Sequence, residues 1–207
     1  MRHAAILIGS AVVVLIAIWF ATGSAPERLP QPTRAFRVPE LCTPAAKLPE
    51  TFDQWLPAFL TRANAPRLDC GLITDDEVYR VVWGHSFATV HPMTVSVQRT
   101  GGMVTATTSE YRFVNGRVEQ ISRSSRTVPI TEWTRIRTLI ANIDFWQMEA
   151  MEPAEVQDGS SWTVEGRVDW RYHRVTRVWP SDSPFRRVAL ELLRLGGRDD
   201  PEPQHRF

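Results

Sequence analysis

The stretch DGSSWTVEGRVDWRYHRVTR, residues 158–177, gathers the side chains most able to do chemistry: Asp158, Glu165, Arg167, Arg171, Tyr172, His173, Arg174 and Arg177. A carboxylate and an imidazole on paired strands can work as acid and base when they meet, so Glu165 and His173 are the weak catalytic candidates. Side chains alternate across a strand, which puts Arg171, His173 and Arg177 on one face and Tyr172 and Arg174 on the other. The simpler account is structural: a Tyr-His pair bonded to backbone, and arginine-carboxylate bridges across a hairpin. As a binding surface, Trp162, Arg171, Tyr172, Arg174 and Arg177, with Trp170 and Trp179 nearby, suit an anionic and partly apolar partner.

His85 and His91 flank Ser86 in WGHSFATVHP, but two histidines six apart with no adjacent cysteine or third imidazole do not match a zinc spacing. A histidine beside a serine does not by itself orient a nucleophile. The patterns GxSxG, HExxH, CxxC and GxxxxGK[ST] are absent, which removes standard routes to hydrolase, redox and nucleotide chemistry. No metal and no cofactor is expected. A formal net charge of +1 gives no basis for a nucleic-acid partner. Lys47 is the only lysine, which disfavours Schiff-base chemistry in the folded part.

These residues need a frame. Phe52, Trp55, Phe59 and Leu60 suggest a short helix started or interrupted by Pro57. Thr74 with Glu77 three residues on forms a capping box, and Asp75 and Asp76 suit the positive end of a helix dipole, predicting a helix from Asp75 to about Trp83 that stops at Gly84. From Pro92 the period changes to two: Met93, Val95 and Val97 share one face, and Thr94, Ser96 and Gln98 the other. Gly101-Gly102 and Asn115-Gly116 are turn signals, and they join this strand to Met103–Phe113 and Arg117–Thr127 in a three-stranded meander with one face free for solvent.

Pro129 and Thr131 open a helix whose Trp133, Ile136, Ile140 and Ile143 form one stripe. Trp162, Val164 and Gly166 alternate in the next strand, Val168-Asp169-Trp170 reverses it, and Arg171 to Trp179 returns. Ser183 or Asp182 caps the last helix, Pro184 sits in its first turn, and Gly196-Gly197 ends it. The fold class is therefore α+β: an antiparallel sheet of about five strands, a meander plus a hairpin, covered on one face by helices, three in number, and preceded by an N-terminal membrane helix.

The string DGSSWTVEGRVDWRYHRV, with EVYRVVW upstream and FRRVALELLRL downstream, resembles a group of bacterial exported or membrane-attached proteins of unknown function over roughly residues 74–197. A Trp and a Glu in one strand and a Tyr-His pair in the next match Trp162, Glu165, Tyr172 and His173 here. The chain departs from that pattern by carrying Asp169-Trp170 where the group tends to have Asp-Gly at the reversal. The resemblance implies a fold and an envelope address, and no activity.

The membrane helix is the run AAILIGSAVVVLIAIWFA, Ala4 to Ala21, behind Met1-Arg2-His3. At about 1.5 Å per residue it spans most of a hydrocarbon core about 30 Å thick. Its length and terminal Trp19-Phe20 favour a retained anchor within residues 1–25, and a cleaved signal peptide followed by secretion is the alternative. Six prolines follow in residues 26–50, an extended stalk, then the domain at 51–197 and a frayed polar tail at 198–207. Arg28, Arg34 and Arg37 alone would keep the C-terminal part cytoplasmic. Cys42 and Cys70 point outward instead: a bridge closing about 29 residues would add about 3–4 kcal/mol in an oxidising space, and two unpaired thiols are the alternative. The expected location is the bacterial inner membrane, with the domain in the periplasm or outside the cell. The sequence thus predicts a membrane-anchored envelope protein that binds an envelope protein or anionic component, with an enzyme using Glu165 and His173 as the second reading.

Overall fold

Val78, Tyr79, Val81, Val82 and Trp83 are β-branched or aromatic and leave no polar stripe, and in the computed structural model they lie in a strand, β1 (Glu77–His85), buried on both sides. The helix expected from Asp75 to Trp83 is therefore corrected. Glu77 does not cap a helix; its carboxylate pairs with Arg99 at 3.3 Å on the next strand. The structure describes residues 52–69, 76–85, 91–151, 159–169, 171–181 and 183–202, which belong to one compact unit.

The described elements are α1 (Phe52–Arg62), β1, β2 (Met93–Thr100), β3 (Met103–Val114), β4 (Arg117–Thr127), α2 (Ile130–Asn142), a 3-10 turn at Phe145–Gln147, β5 (Ser160–Val168), β6 (Arg171–Val178) and α3 (Pro184–Leu195). They form α+β architecture with a six-stranded antiparallel sheet in the order β4-β3-β2-β1-β5-β6. The five strands expected become six because β1 is one of them. The meander therefore has four strands, and the β5-β6 hairpin joins it along the free edge of β1. Reaching that edge from β4 means crossing four inter-strand gaps, about 19 Å. The 13 residues of α2 supply about the same length.

Alternation gives the sheet two unlike faces. On one, Tyr79, Val81, Val95, Val97, Trp162 and Val164 build the main core with Trp133, Ile136 and Ile140 of α2 and Val188, Leu192 and Leu193 of α3. Ser183 caps α3, its Oγ accepting from Arg186 N at 3.2 Å, and Pro184 opens the first turn. The opposite face carries Val78, Arg80, Thr94, Ser96 and Ser109. It is not bare, as helices on one face alone would leave it: Leu56, Phe59 and Leu60 of α1 pack there against Val82, Tyr111 and Val118. Asn115 and Gly116 turn β3 into β4 with φ of 50° and 75°.

The polar tail is docked as far as Glu202, where a frayed end was expected. Arg186 grips both oxygens of Asp200 at 2.8 and 3.0 Å, and Trp83 Nε1 donates to Glu202 Oε1 at 3.2 Å. Among the described residues no helix is long and apolar enough to cross a membrane. The apolar run 4–21, the stalk 26–50, Cys42 and Cys70 all lie outside the described residues, as do Ser86, Asp158 and Trp170.

Candidate functional site

The β5-β6 hairpin is as expected, but its register separates the two catalytic candidates. Glu165 stands opposite Arg80 on β1 and Arg174 on β6, whereas His173 stands opposite Gly166. Neighbours across an antiparallel pair share a face, so Glu165 and His173 lie on opposite sides of the sheet and cannot act as one acid-base pair.

On the core side, His173 Nε2 lies 3.0 Å from Met148 O, and its ring packs against Phe145 and Trp146 at 5.2 and 6.4 Å. Gly166 makes room for this cage: a Cβ there would come within 3.0 Å of Phe145 and 3.1 Å of Tyr79. His173 therefore orders the turn after α2. His173→Ala should lower stability by roughly 1–3 kcal/mol, read as a thermal midpoint several degrees lower. An unchanged midpoint would remove this role.

The binding candidates divide in the same way. Trp162 is fully buried; its Nε1 donates to Ser160 Oγ at 3.1 Å and the Arg186 guanidinium lies 5.2 Å above its ring. It is core, not contact surface. Arg177 is buried as well and donates to Glu149 O and Thr176 O at 3.0 and 2.8 Å. Arg171 lies over the Trp146 ring at 4.6 Å, Arg174 is half-buried beside Glu165 on the other face, and Trp179 is exposed. The five binding candidates are thus split between two faces and do not make one surface. Of the two histidines read together, His85 lies 6.4 Å from the Trp83 ring and His91 is exposed. Among the described residues no group of His, Cys, Asp and Glu could hold a metal ion.

What the hairpin does assemble is a buried network. Arg80, 2% exposed, donates from Nε to Glu165 Oε2 at 2.7 Å and from Nη1 to Pro66 O at 2.5 Å. Its Nη2 approaches the same carboxylate oxygen at 2.5 Å, off a hydrogen-bonding direction. Tyr172 donates its hydroxyl to Glu165 Oε1 at 2.7 Å. Burial pushes the Tyr172 phenol far above its ordinary value, and the Glu165 charge and this hydrogen bond push it further, so it stays a neutral donor. Burial also raises Tyr79, to about 12.

Both tyrosines bind protons more tightly folded than unfolded, so stability is intact below the unfolded value near 10 and falls as pH rises above it. Denaturant midpoints should therefore drop between pH 9 and 11.5, each tyrosine contributing up to about tenfold in the folding equilibrium per pH unit. Tyr172→Phe should flatten that slope, and an equally steep fall in the variant would contradict the assignment.

Arg80 also forms the floor of a groove of about 140 Å³ on the polar face, walled by the chain after α1 from Asn64 to Leu68 and by β2, β3 and β4. Thr94, Ser96, Ser109, Gln120 and Arg123 line it, and none of these five side chains has a hydrogen-bond partner among the described residues. Thr94 and Ser109 are only 5% and 6% exposed. No Asp or Glu belongs to the described lining.

Sequence reasoning missed both Arg80 and the groove. One signal was present: a single arginine inside the apolar run Val78–Trp83, which burial on both faces obliges to find a carboxylate. No family model matches the chain and no curated protein matches it, so the groove over the Arg80-Glu165-Tyr172 network stands on its own geometry.

Proposed function

We propose that the protein is a membrane-tethered binding module of the bacterial envelope, without catalysis, whose working surface is the polar groove over Arg80. In this reading the run 4–21 anchors the chain in the inner membrane. The proline-rich segment 26–50 holds the domain away on the oxidising side, where Cys42 and Cys70 can join. The resemblance of residues 74–197 to exported proteins supports the address.

One observation carries the binding role: five polar side chains from three strands converge on one groove and leave their hydrogen-bonding capacity unused within the described fold. Thr94 and Ser109 are buried, Ser96 is half-buried, and Gln120 and Arg123 are exposed at the rim, so the cluster offers its polar groups to water or to a ligand. The network beneath it fixes the floor, which lowers the ordering cost of binding.

Ser96 lies between Arg80 and Thr107 in the strand register, so Ser96→Tyr would fill the groove. The full-length protein captured from solubilised membranes should bring down an envelope component that Ser96→Tyr loses. A component retained equally by a folded Ser96→Tyr variant would sink the groove as the working surface.

A further inference from the structure

We infer that the groove takes a single oxyanion, a phosphate or carboxylate group carried by a larger molecule, and that Arg123 contacts it directly. The inference rests on the binding role proposed above and names the ligand's chemistry.

Charge makes the first argument. Arg80 is neutralised from behind by Glu165, while Arg123 has no ion-pair partner among the described residues, and the described lining contains no carboxylate. Asp76 is bonded to Gln98 at 3.1 Å at one edge of the groove, and on the lining itself Arg123 is the one charge that no ion pair among the described residues compensates. Donor geometry makes the second. The hydroxyls of Thr94, Ser96 and Ser109 and the amide of Gln120 can each donate to an oxygen, and guanidinium groups match the planar or tetrahedral faces of carboxylate and phosphate.

Arg80 is held by Glu165 and Pro66 and its Nη2 is sealed from solvent, so it stiffens the floor and leaves the direct contact to Arg123. Size makes the third argument. A groove of about 140 Å³ that opens to solvent has room for one phosphate or carboxylate head, with the larger molecule that carries it outside. A neutral sugar would leave Arg123 without an opposite charge, and water alone would fill the groove without saturable anion binding.

The test is calorimetric titration of the detergent-solubilised full-length protein at fixed, low ionic strength, with inorganic phosphate and sodium acetate as separate probes. Saturable binding of either supports the inference, and the tighter of the two identifies the source as phosphate ester or carboxylate. Arg123→Gln should weaken binding about tenfold or more. Arg126→Gln removes the same charge from β4 but stands opposite Ala106 of the core face, so it should leave affinity within about twofold. Thermal midpoints of both variants confirm the fold. No saturable heat with either probe, or equal weakening by the two variants, overturns the oxyanion assignment. If that happens while Ser96→Tyr still abolishes capture of the membrane component, the groove remains the working surface with a different ligand. If both fail, the binding role falls too.

Discussion

Glu165→Leu should destabilise the fold by about 3–5 kcal/mol, the usual consequence of leaving one member of a buried ion pair without its partner. Glu165 is 2% exposed and accepts from two directions, from Arg80 at 2.7 Å and from Tyr172 at 2.7 Å. Removing the carboxylate strands a guanidinium that is itself buried and places an apolar group against a phenol hydroxyl. The ion pair joins β1 to β5, the junction between the meander and the hairpin, so its loss acts where the two parts of the sheet meet. Adding Arg80→Met should restore much of the loss, because two apolar groups of similar volume avoid the cost of desolvating both ions. Urea denaturation of the two variants against the parent measures this directly. A loss below about 1 kcal/mol in Glu165→Leu alone would mean that groove water solvates Arg80 adequately, and the network would then not be what holds the hairpin to the meander.

Trp162→Ala should cost about 3–5 kcal/mol through the cavity it leaves, with no separate effect on ligand binding in protein that remains folded. The ring is fully enclosed, stacks edge-on with Trp83 at 6.4 Å and sits beneath the Arg186 guanidinium. Arg186 in turn holds Asp200, so the deletion should also loosen the chain beyond α3. Hydrogen exchange should rise at Arg198 to Glu202 as well as in β5. A folded variant of normal stability that fails to bind would restore Trp162 as a contact residue and contradict its place in the core.

Much of the fold was legible in the sequence wherever a few neighbouring residues decide the outcome. The glycine pair at 101–102, Asn115-Gly116, the Ser183 cap with Pro184, and the Phe185-Val188-Leu192 stripe each act within about two turns of chain, and each produced the expected element. The alternation of β2 also held, with Val95 and Val97 buried in the core and Gln98 exposed. In the segment Glu77–His85 the local signals conflict, and the strand stands where they favour a helix. A capping box and two aspartates speak for a helix, while the all-round apolar content of Val78–Trp83 speaks for a strand covered on both faces. The second prevails because β1 has a neighbour on each side, β2 and β5, and satisfies its backbone along both edges.

The site lay further from reach. The Glu165 carboxylate is visible in the sequence, yet its partner is 85 residues away in the chain, and the pairing exists only because the hairpin docks on β1 in one register. A one-residue slip would turn every side chain of β5 over, placing Trp162 on the polar face and Glu165 in the core. The same register sends His173 into the aromatic cage and away from Glu165. The groove is more remote still, since it needs residues from β1, β2, β3 and β4 and the chain after α1 at once. By itself, then, the sequence determined the turns, the caps, the two later helices and the alternation of most strands, because those are settled by backbone sterics and side-chain period over short distances. Only the tertiary structure decided which strand lies beside which, and with that which charges are paired, which tryptophan is enclosed and where unsatisfied donors converge, because strand order and register fix contacts between residues the chain holds far apart.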